Sequence, residues 1–305
     1  MRVLVTGGAG FIGSHVVDAY LAAGHQVAVV DNLARGRRDN INSSARLYES
    51  DLRAEHLRDV FERERPEVVN HHAAQASVVA SVADPRADAD VNVLGTLHLL
   101  TLCAQYRVRR IVFASTGGAI YGDPRDLPAK EDRPATPLSP YGISKLAGEH
   151  YVRYFQGVGV TWAILRYANV YGPRQDPHGE AGVIAIFAAA MLDGRAPTIF
   201  GDGTQTRDFV FVDDVARANL LATAVPTSGL ANIGTGVETS VNDIARHLAD
   251  LSGFRGDALH AAPRPGEVYR ISIDPSRAAQ WLGWTPTTPL VDGLRKTVEW
   301  CRRSR

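Results

Sequence analysis

The stretch Thr6-Gly7-Gly8-Ala9-Gly10-Phe11-Ile12-Gly13 constrains this chain more than any other. Before it, residues 2–6 form an apolar run that reads as a short buried strand. After it, an apolar helical pattern extends from Phe11 to about Ala23, where Gly24 stops it. Residues 26–31, Gln-Val-Ala-Val-Val-Asp, read as a second strand and complete a β-α-β unit. The glycines at 7, 10 and 13 are spaced one residue wider than the GxGxxG fingerprint, but the physical demands are the same. One glycine makes the tight strand-to-helix turn, another lets the backbone approach a pyrophosphate, and the third lets helix pack on strand. The helix N-terminus offers free N–H groups and a positive dipole end to phosphates. A Gly-Lys-Ser/Thr phosphate loop is excluded because no such triplet follows.

Asp31 ends the second strand, 18 residues after Gly13. A carboxylate there accepts hydrogen bonds from adenosine ribose hydroxyls, which points to a dinucleotide. It also favours NAD over NADP, because a 2′-phosphate beside a carboxylate is repelled. Arg35, Arg37 and Arg38 follow, but a strand-end Asp is nearer the ribose than a loop arginine.

The alternation of strand and helix continues. A helix over about 54–65 leads to a strand at 67–72, and a long helix over about 86–106 leads to a strand at 109–115. A helix after Pro140 precedes a strand at 161–166. Strands separated by helices imply a parallel sheet covered on both faces. The expected fold class is therefore α/β: a Rossmann-type doubly wound parallel sheet with a smaller, interleaved C-terminal α/β substrate domain. The expected division is 1–166 for the NAD-binding domain, with segments near 206–235 crossing back, and 167–305 for the second. In that second part, short strands are expected at 198–200 and 208–211, with helices starting near Asp213, Ser240 and Pro289.

Composition narrows the partners. The 33 Lys+Arg balance 33 Asp+Glu, so the electrostatic footprint of a nucleic-acid binder is missing. A chain that is 45% hydrophobic forms a core rather than a disordered coil. Two cysteines, Cys103 and Cys301, rule out a disulfide framework and a Cys-based zinc site. No apolar run of membrane-spanning length and no signal-peptide core is found, so a cytoplasmic protein is the expectation.

The second chemical pattern is Tyr141-Gly-Ile-Ser-Lys145. Residues four apart on a helix share a face, so the ammonium lies one turn from the phenol. A phenol titrating near pH 10 becomes a base near neutrality when a nearby cation favours its anion. Ser115 and Thr116 end the preceding strand, where open α/β sheets bind ligands, and their hydroxyls would share a proton with Tyr141. His71-His72 is no metal site, since strand neighbours point to opposite faces and no ligand pattern completes it.

Together, Thr6–Gly13, Asp31, Asn70–Ala74, Asn92, Ser115–Gly122, Tyr141–Lys145 and Arg166–Gly172 resemble the extended short-chain dehydrogenase/reductase family. More narrowly, the chain is similar to UDP-glucose 4-epimerases over essentially its whole length, including Phe200-Gly-Asp-Gly, Arg207-Asp-Phe-Val and Arg264-Pro-Gly-Glu267. The resemblance implies that Gly7, Gly10, Phe11, Ile12, Gly13, Asp31, Asn32, Asp51 and Leu52 hold the adenosine and pyrophosphate of a tightly bound NAD. Ala73, Ala74, Asn92, Lys145 and Tyr167 would line its nicotinamide half. Tyr141 would be the base and Lys145 its partner. Thr116, Gly117, Tyr141, Asn169, Arg207, Arg264 and Glu267 would meet the UDP-sugar. A homodimer is implied as well.

The implied reaction is transient oxidation at C4, rotation of the keto sugar and its reduction on the other face. One departure stands out: many epimerases carry a serine where this chain has Gly117, so the hydroxyl role falls to Thr116 or Ser115, and Thr116 is the one expected to take it. A 4,6-dehydratase would need acidic residues where Gly117-Gly118 stand. A UDP-glucuronate 4-epimerase would need a cation for the sugar carboxylate; Asp176 follows Gln175 where an arginine often lies, which leaves Arg86 or Arg174 to serve. A UDP-N-acetylglucosamine 4-epimerase would need a roomier pocket. A non-catalytic NAD-binding regulator would not need Tyr141 and Lys145.

Overall fold

A computed structural model of the chain describes residues 1–178, 182–263 and 268–304. The first half alternates as expected: β1 (Arg2–Thr6), α1 (Phe11–Ala22), β2 (Gln26–Asp31), β3 (Arg46–Glu49), α2 (Leu57–Glu64) and β4 (Val68–His71). Then come α3 (Val78–Ala83), α4 (Pro85–Ala89), a π turn (Asp90–Leu94), α5 (Gly95–Gln105), β5 (Arg110–Thr116), α6 (Gly117–Ile120), α7 (Pro140–Tyr154) and β6 (Thr161–Tyr167). The second half holds β7 (Asn169–Tyr171), α8 (Val183–Leu192), β8 (Thr198–Phe200), β9 (Thr206–Arg207), β10 (Phe209–Phe211), α9 (Val212–Ala224) and β11 (Gly229–Ile233). It ends with β12 (Thr239–Ser240), α10 (Val241–Ser252), β13 (Leu259–Ala261), α11 (Ser276–Leu282) and α12 (Leu290–Arg303).

Seven strands form one parallel sheet in the order β11-β6-β5-β4-β1-β2-β3. Successive residues of β1 serve opposite faces: Leu4 joins the apolar layer under α2 and α5, while Val3 and Val5 join the layer under α1. Burial on both faces explains the unbroken apolar runs that mark these strands in the sequence. The strand order reverses between β1 and β4, so the loops leaving these two strands open a crevice at the carboxyl edge of the sheet. Late in the chain, β11 pairs with β6 and α9 packs on α1, so this part rejoins the main sheet. The remaining short strands pair as β7 with β10, β9 with β12 and β8 with β13. Of these, β7, β8 and β10 share a third apolar cluster with α8, α10 and α12.

Two departures from the expected elements have physical causes. The helix expected over 86–106 is interrupted by the π turn, which carries Asn92. Such one-turn widenings are frequent at functional sites. β3, with the sequence Arg-Leu-Tyr-Glu, is a half-exposed edge strand and lacks the apolar run that betrays its neighbours. Among the described residues no helix is long and apolar enough to cross a membrane.

Candidate active site

The glycine loop leaves β1 at the crevice. Gly7 adopts φ +70°, and a Cβ there would lie 2.6 Å from the Ala73 nitrogen, so the loop touches the segment after β4. Gly10 caps α1 without a side chain, and Phe11 and Ile12 form the helix's first turn, which carries no acidic residue. A Cβ on Gly13 would lie 2.1 Å from the Gly7 carbonyl oxygen. Gly13→Ala must therefore open the loop. The expected outcome is protein that purifies without nucleotide, read by chromatography of an acid extract; wild-type nucleotide content would contradict this role of the loop.

Asp31 anchors the same loop. Its Oδ2 accepts from Ala9 N at 2.9 Å and its Oδ1 from Leu33 N at 2.8 Å. Arg37 pairs with Asp39, and Arg38 with Glu49 at 2.6 Å, so carboxylates already face these two loop arginines. Asn32 donates to Asp51 at 2.9 Å, and Arg53 holds the Asp51 carboxyl well below its usual range. Leu52 packs beneath Gly95, and its carbonyl accepts from His98 at 2.6 Å. A glycine cradle closed against Ala73, a helix start free of acid and a strand-end carboxylate fit a dinucleotide with an unphosphorylated ribose.

Across the crevice, residues 73–77 are held from the π turn. Asn92 Oδ1 accepts from Gln75 N at 2.9 Å, while its amide donates to Gln75 O, Asp88 and Ser144. The Asn92 side chain is thus engaged within the protein and shapes the Ala73–Ala74 wall from behind. A directed chain continues from it. Thr96 donates to Asn92 O, which leaves its oxygen to accept from His71 Nε2 at 3.0 Å; His71 Nδ1 then accepts from Thr6 at 2.7 Å. Burial, reinforced by Lys145, pushes His71 well below its ordinary range and His72 down to about 3. Both are neutral structural histidines, and among the described residues no side-chain cluster suits a metal ion. Tyr167 stacks on His72, and its hydroxyl is shared between His72 and Asn219.

Helix α7 carries the Tyr141–Lys145 pair. Ser139 caps it, accepting from Gly142 N, and Pro140 occupies its first turn. Tyr141 is half-buried and Lys145 is buried one turn later, with its Nζ 4.4 Å from the centre of the Phe113 ring. Burial and the Asp88 charge push the Tyr141 phenol up to about 12, while a hydrogen bond with Thr116 pulls it down. Burial pushes Lys145 down to about 8, against Glu149 and Asp88, which hold it up. Without a ligand, then, burial outweighs the effect expected of the ammonium, and the phenol keeps its proton at neutral pH.

The structure separates the two candidate hydroxyls. Thr116 caps α6 and meets Tyr141, whereas Ser115 points to the other side of β5 and donates to buried Glu149 at 2.6 Å. Ser115 thus turns away from Tyr141 and joins the ion pair between Glu149 and Arg166. At Gly117 a Cβ would lie 2.6 Å from Ile273 Cδ1 and 3.2 Å from Tyr167 O, so a serine there would need the Ile273 side chain to shift. Asn169 stands across from Gly118, and Arg207 donates to Thr206 O and Tyr269 O at the edge of the second lobe. Arg264 and Glu267 lie outside the described residues.

Asp88 and Glu149 are site residues that the sequence motifs do not single out. The usable signal is spacing: Asp88 lies four residues before Asn92, and Glu149 four after Lys145, each on the face of its neighbour.

The sequence profile of the NAD dependent epimerase/dehydratase family matches residues 3–234. A UDP-glucose 4-epimerase of Mycolicibacterium smegmatis is 45% identical over 309 residues, covering 99% of each chain. The solved UDP-glucose 4-epimerase of Thermotoga maritima, in complex with UDP-glucose, superposes with a TM-score of 0.98 at 47% identity, covering 100% of this chain and 99% of the other. That of Thermus thermophilus, in complex with NAD, gives 0.95 at 48% identity, covering 99% of each chain.

Proposed function

The chain belongs to the NAD dependent epimerase/dehydratase family, and from that membership we propose that it interconverts UDP-glucose and UDP-galactose by inverting C4 of the hexose. The observation that carries this reading is the Thr116–Tyr141–Lys145 group, set at the strand ends beside a glycine loop that fits NAD. When bound, NAD supplies the hydride chemistry at C4. Its cationic ring also adds the positive charge that the buried phenol needs to lose its proton. Tyr141 takes the proton of the C4 hydroxyl and returns it after the sugar has turned. Thr116, hydrogen-bonded to the phenol, shares the same hydroxyl. Lys145 holds a positive charge beside Tyr141 throughout.

Asn169 and Arg207 are placed in the same proposal as contacts of the UDP-sugar, since a guanidinium fork suits a diphosphate. The UDP must be the anchor, because the sugar has to rotate. Exposed Val79, Val82, Leu94, Ile143 and Tyr154 lie on α3, the π turn and α7, which pack together. Their apolar character supports a second copy on this face, which makes the working unit a homodimer. A sedimenting mass of one 33.0 kDa chain would overturn that part.

The activity is tested with purified protein, UDP-galactose and no added NAD, with UDP-glucuronate in a parallel tube. Formation of UDP-glucose supports the proposal. Conversion of UDP-glucuronate alone moves the substrate while keeping the chemistry. No conversion of either, with NAD then supplied, overturns it.

A further inference from the structure

Asp88 is a carboxylate with 1% of its surface exposed, behind the wall formed by residues 73–77. Its Oδ1 accepts from Gln75 Nε2 at 2.9 Å and from Asn92 Nδ2 at 3.1 Å. Its Oδ2 is buried without a hydrogen-bond partner, and no ion pair forms on the residue among those described. Gln75 continues the tie: its Oε1 accepts from Ser77 N and its Nε2 also donates to Ser77 O. Asn92 links the same group to Ser144, which lies between Tyr141 and Lys145 on α7. Asp88 therefore joins the cofactor wall to the catalytic helix while keeping one oxygen, and its charge, uncompensated.

The contrast with Glu149 is what gives Asp88 its weight. Glu149 also faces Lys145 from inside the protein, but Arg166 grips both of its oxygens at 2.8 and 2.7 Å, and Ser115 adds a third bond. Glu149 remains the larger of the two charges that hold up Lys145, but Asp88 acts on both Lys145 and Tyr141. An unpaired charge in a low-dielectric interior acts at longer range than a paired one. We propose that Asp88 is a positioning residue for the proton transfer at Tyr141: it fixes Gln75 and Asn92 and, beside Glu149, supplies an unpaired negative charge that helps Lys145 keep its proton. The inference rests on the reading of Tyr141 as base and Lys145 as its partner.

The direction of the effect follows from the surrounding groups. Tyr141 is faced by Asp88 from α4 and by Thr116 from β5. Lys145 is faced by Asp88, by Glu149 of its own helix, and by the neutral His71 at the end of β4 and His72 after it. Elsewhere on these elements, Arg86 of α4 is exposed and Asp90 of the π turn is paired with Arg53. Asp88 raises both the phenol and the ammonium, so removing its charge lowers both. In Asp88→Asn, Oδ1 still accepts from Gln75 and Asn92, the charge is lost, and an amide NH2 takes the place of the unpartnered Oδ2. Both limbs of the pH profile of kcat should then move to lower pH, by about one unit. Turnover at the alkaline end should fall about tenfold relative to wild type, and the acid limb should gain. Asp88→Glu keeps the charge and should leave both limbs in place even where its maximum is lower.

The test is the kcat–pH profile of UDP-galactose conversion by wild type, Asp88→Asn and Asp88→Glu. A second readout needs no substrate: the tyrosinate absorbance of Asp88→Asn minus that of the same variant carrying Tyr141→Phe. It should show the Tyr141 phenol titrating below its wild-type position. Limbs that stay fixed while kcat drops would overturn the proposal and leave Asp88 a purely structural tie. If wild type itself converts no UDP-galactose, the functional reading fails, and the tyrosinate titration still decides the role of Asp88. Should Asp88→Asn not fold, Asp88→Ser is expected to show the same shift, and fixed limbs in that variant would equally overturn the proposal.

Discussion

Tyr141→Phe is expected to lower conversion of UDP-galactose by about 10²–10⁴-fold while the purified protein keeps its NAD. The substitution removes one oxygen and no apolar surface, so the packing of α7 stays intact. The phenol touches Thr116, and the dinucleotide contacts proposed for the glycine loop and Asp31 lie on other elements. Activity and nucleotide content should therefore separate. Steady-state kinetics and chromatography of the extracted nucleotide check both halves. Unchanged turnover would remove Tyr141 as the base, and loss of NAD along with activity would make it a cofactor-binding residue first.

Glu149→Leu is expected to be the most destabilising single change in the site region. Arg166 is only 4% exposed, and both of its charge-assisted bonds to carboxylate end on Glu149. The pair also fixes register. Ser115 and Arg166 sit opposite each other on β5 and β6, and Glu149 reaches both from α7. The guanidinium continues to the Tyr121 hydroxyl, which donates to Asn232 on β11. Removing Glu149 leaves a buried cation without its counter-charge, which costs about 3–5 kcal/mol. In a chain of this size that is a fall of roughly 5–8 °C in melting temperature. Leu replacing both Glu149 and Arg166 should recover much of the loss, because no unpaired charge then remains. A melting curve for Glu149→Leu that overlays wild type would contradict the account of this pair.

Much of this is legible in the sequence alone, and for identifiable reasons. The glycine loop and Asp31 announce themselves because their demands are local: a positive φ at Gly7, a close approach at Gly13 and a carboxylate at a strand end. Tyr141 and Lys145 are legible because helical spacing alone puts them together. The strands of the parallel sheet show as apolar runs because both their faces are buried. What stays hidden depends on distant partners. Whether Ser115 or Thr116 faces the phenol is decided by the register of β5 against α7. The fit of Gly117 depends on Ile273, more than a hundred residues away in sequence. Asp88 reads as one more acid in a charged helix until Gln75 and Asn92 fold onto it. The π turn gives no signal in hydrophobic periodicity, because it changes the helix by a single residue where Asn92 reaches across to Gln75 and Ser144.

The central claim is that the hydrogen at C4 leaves and returns as hydride within one closed site, with Tyr141 handling only the hydroxyl proton. UDP-glucose carrying deuterium at C4, incubated with the protein in ordinary water and no added NAD, tests it most directly. UDP-galactose should form with deuterium still at C4, since hydride held at the site does not exchange with solvent. UDP-galactose carrying solvent hydrogen at C4 would contradict it, because that outcome requires removal of C4–H as a proton.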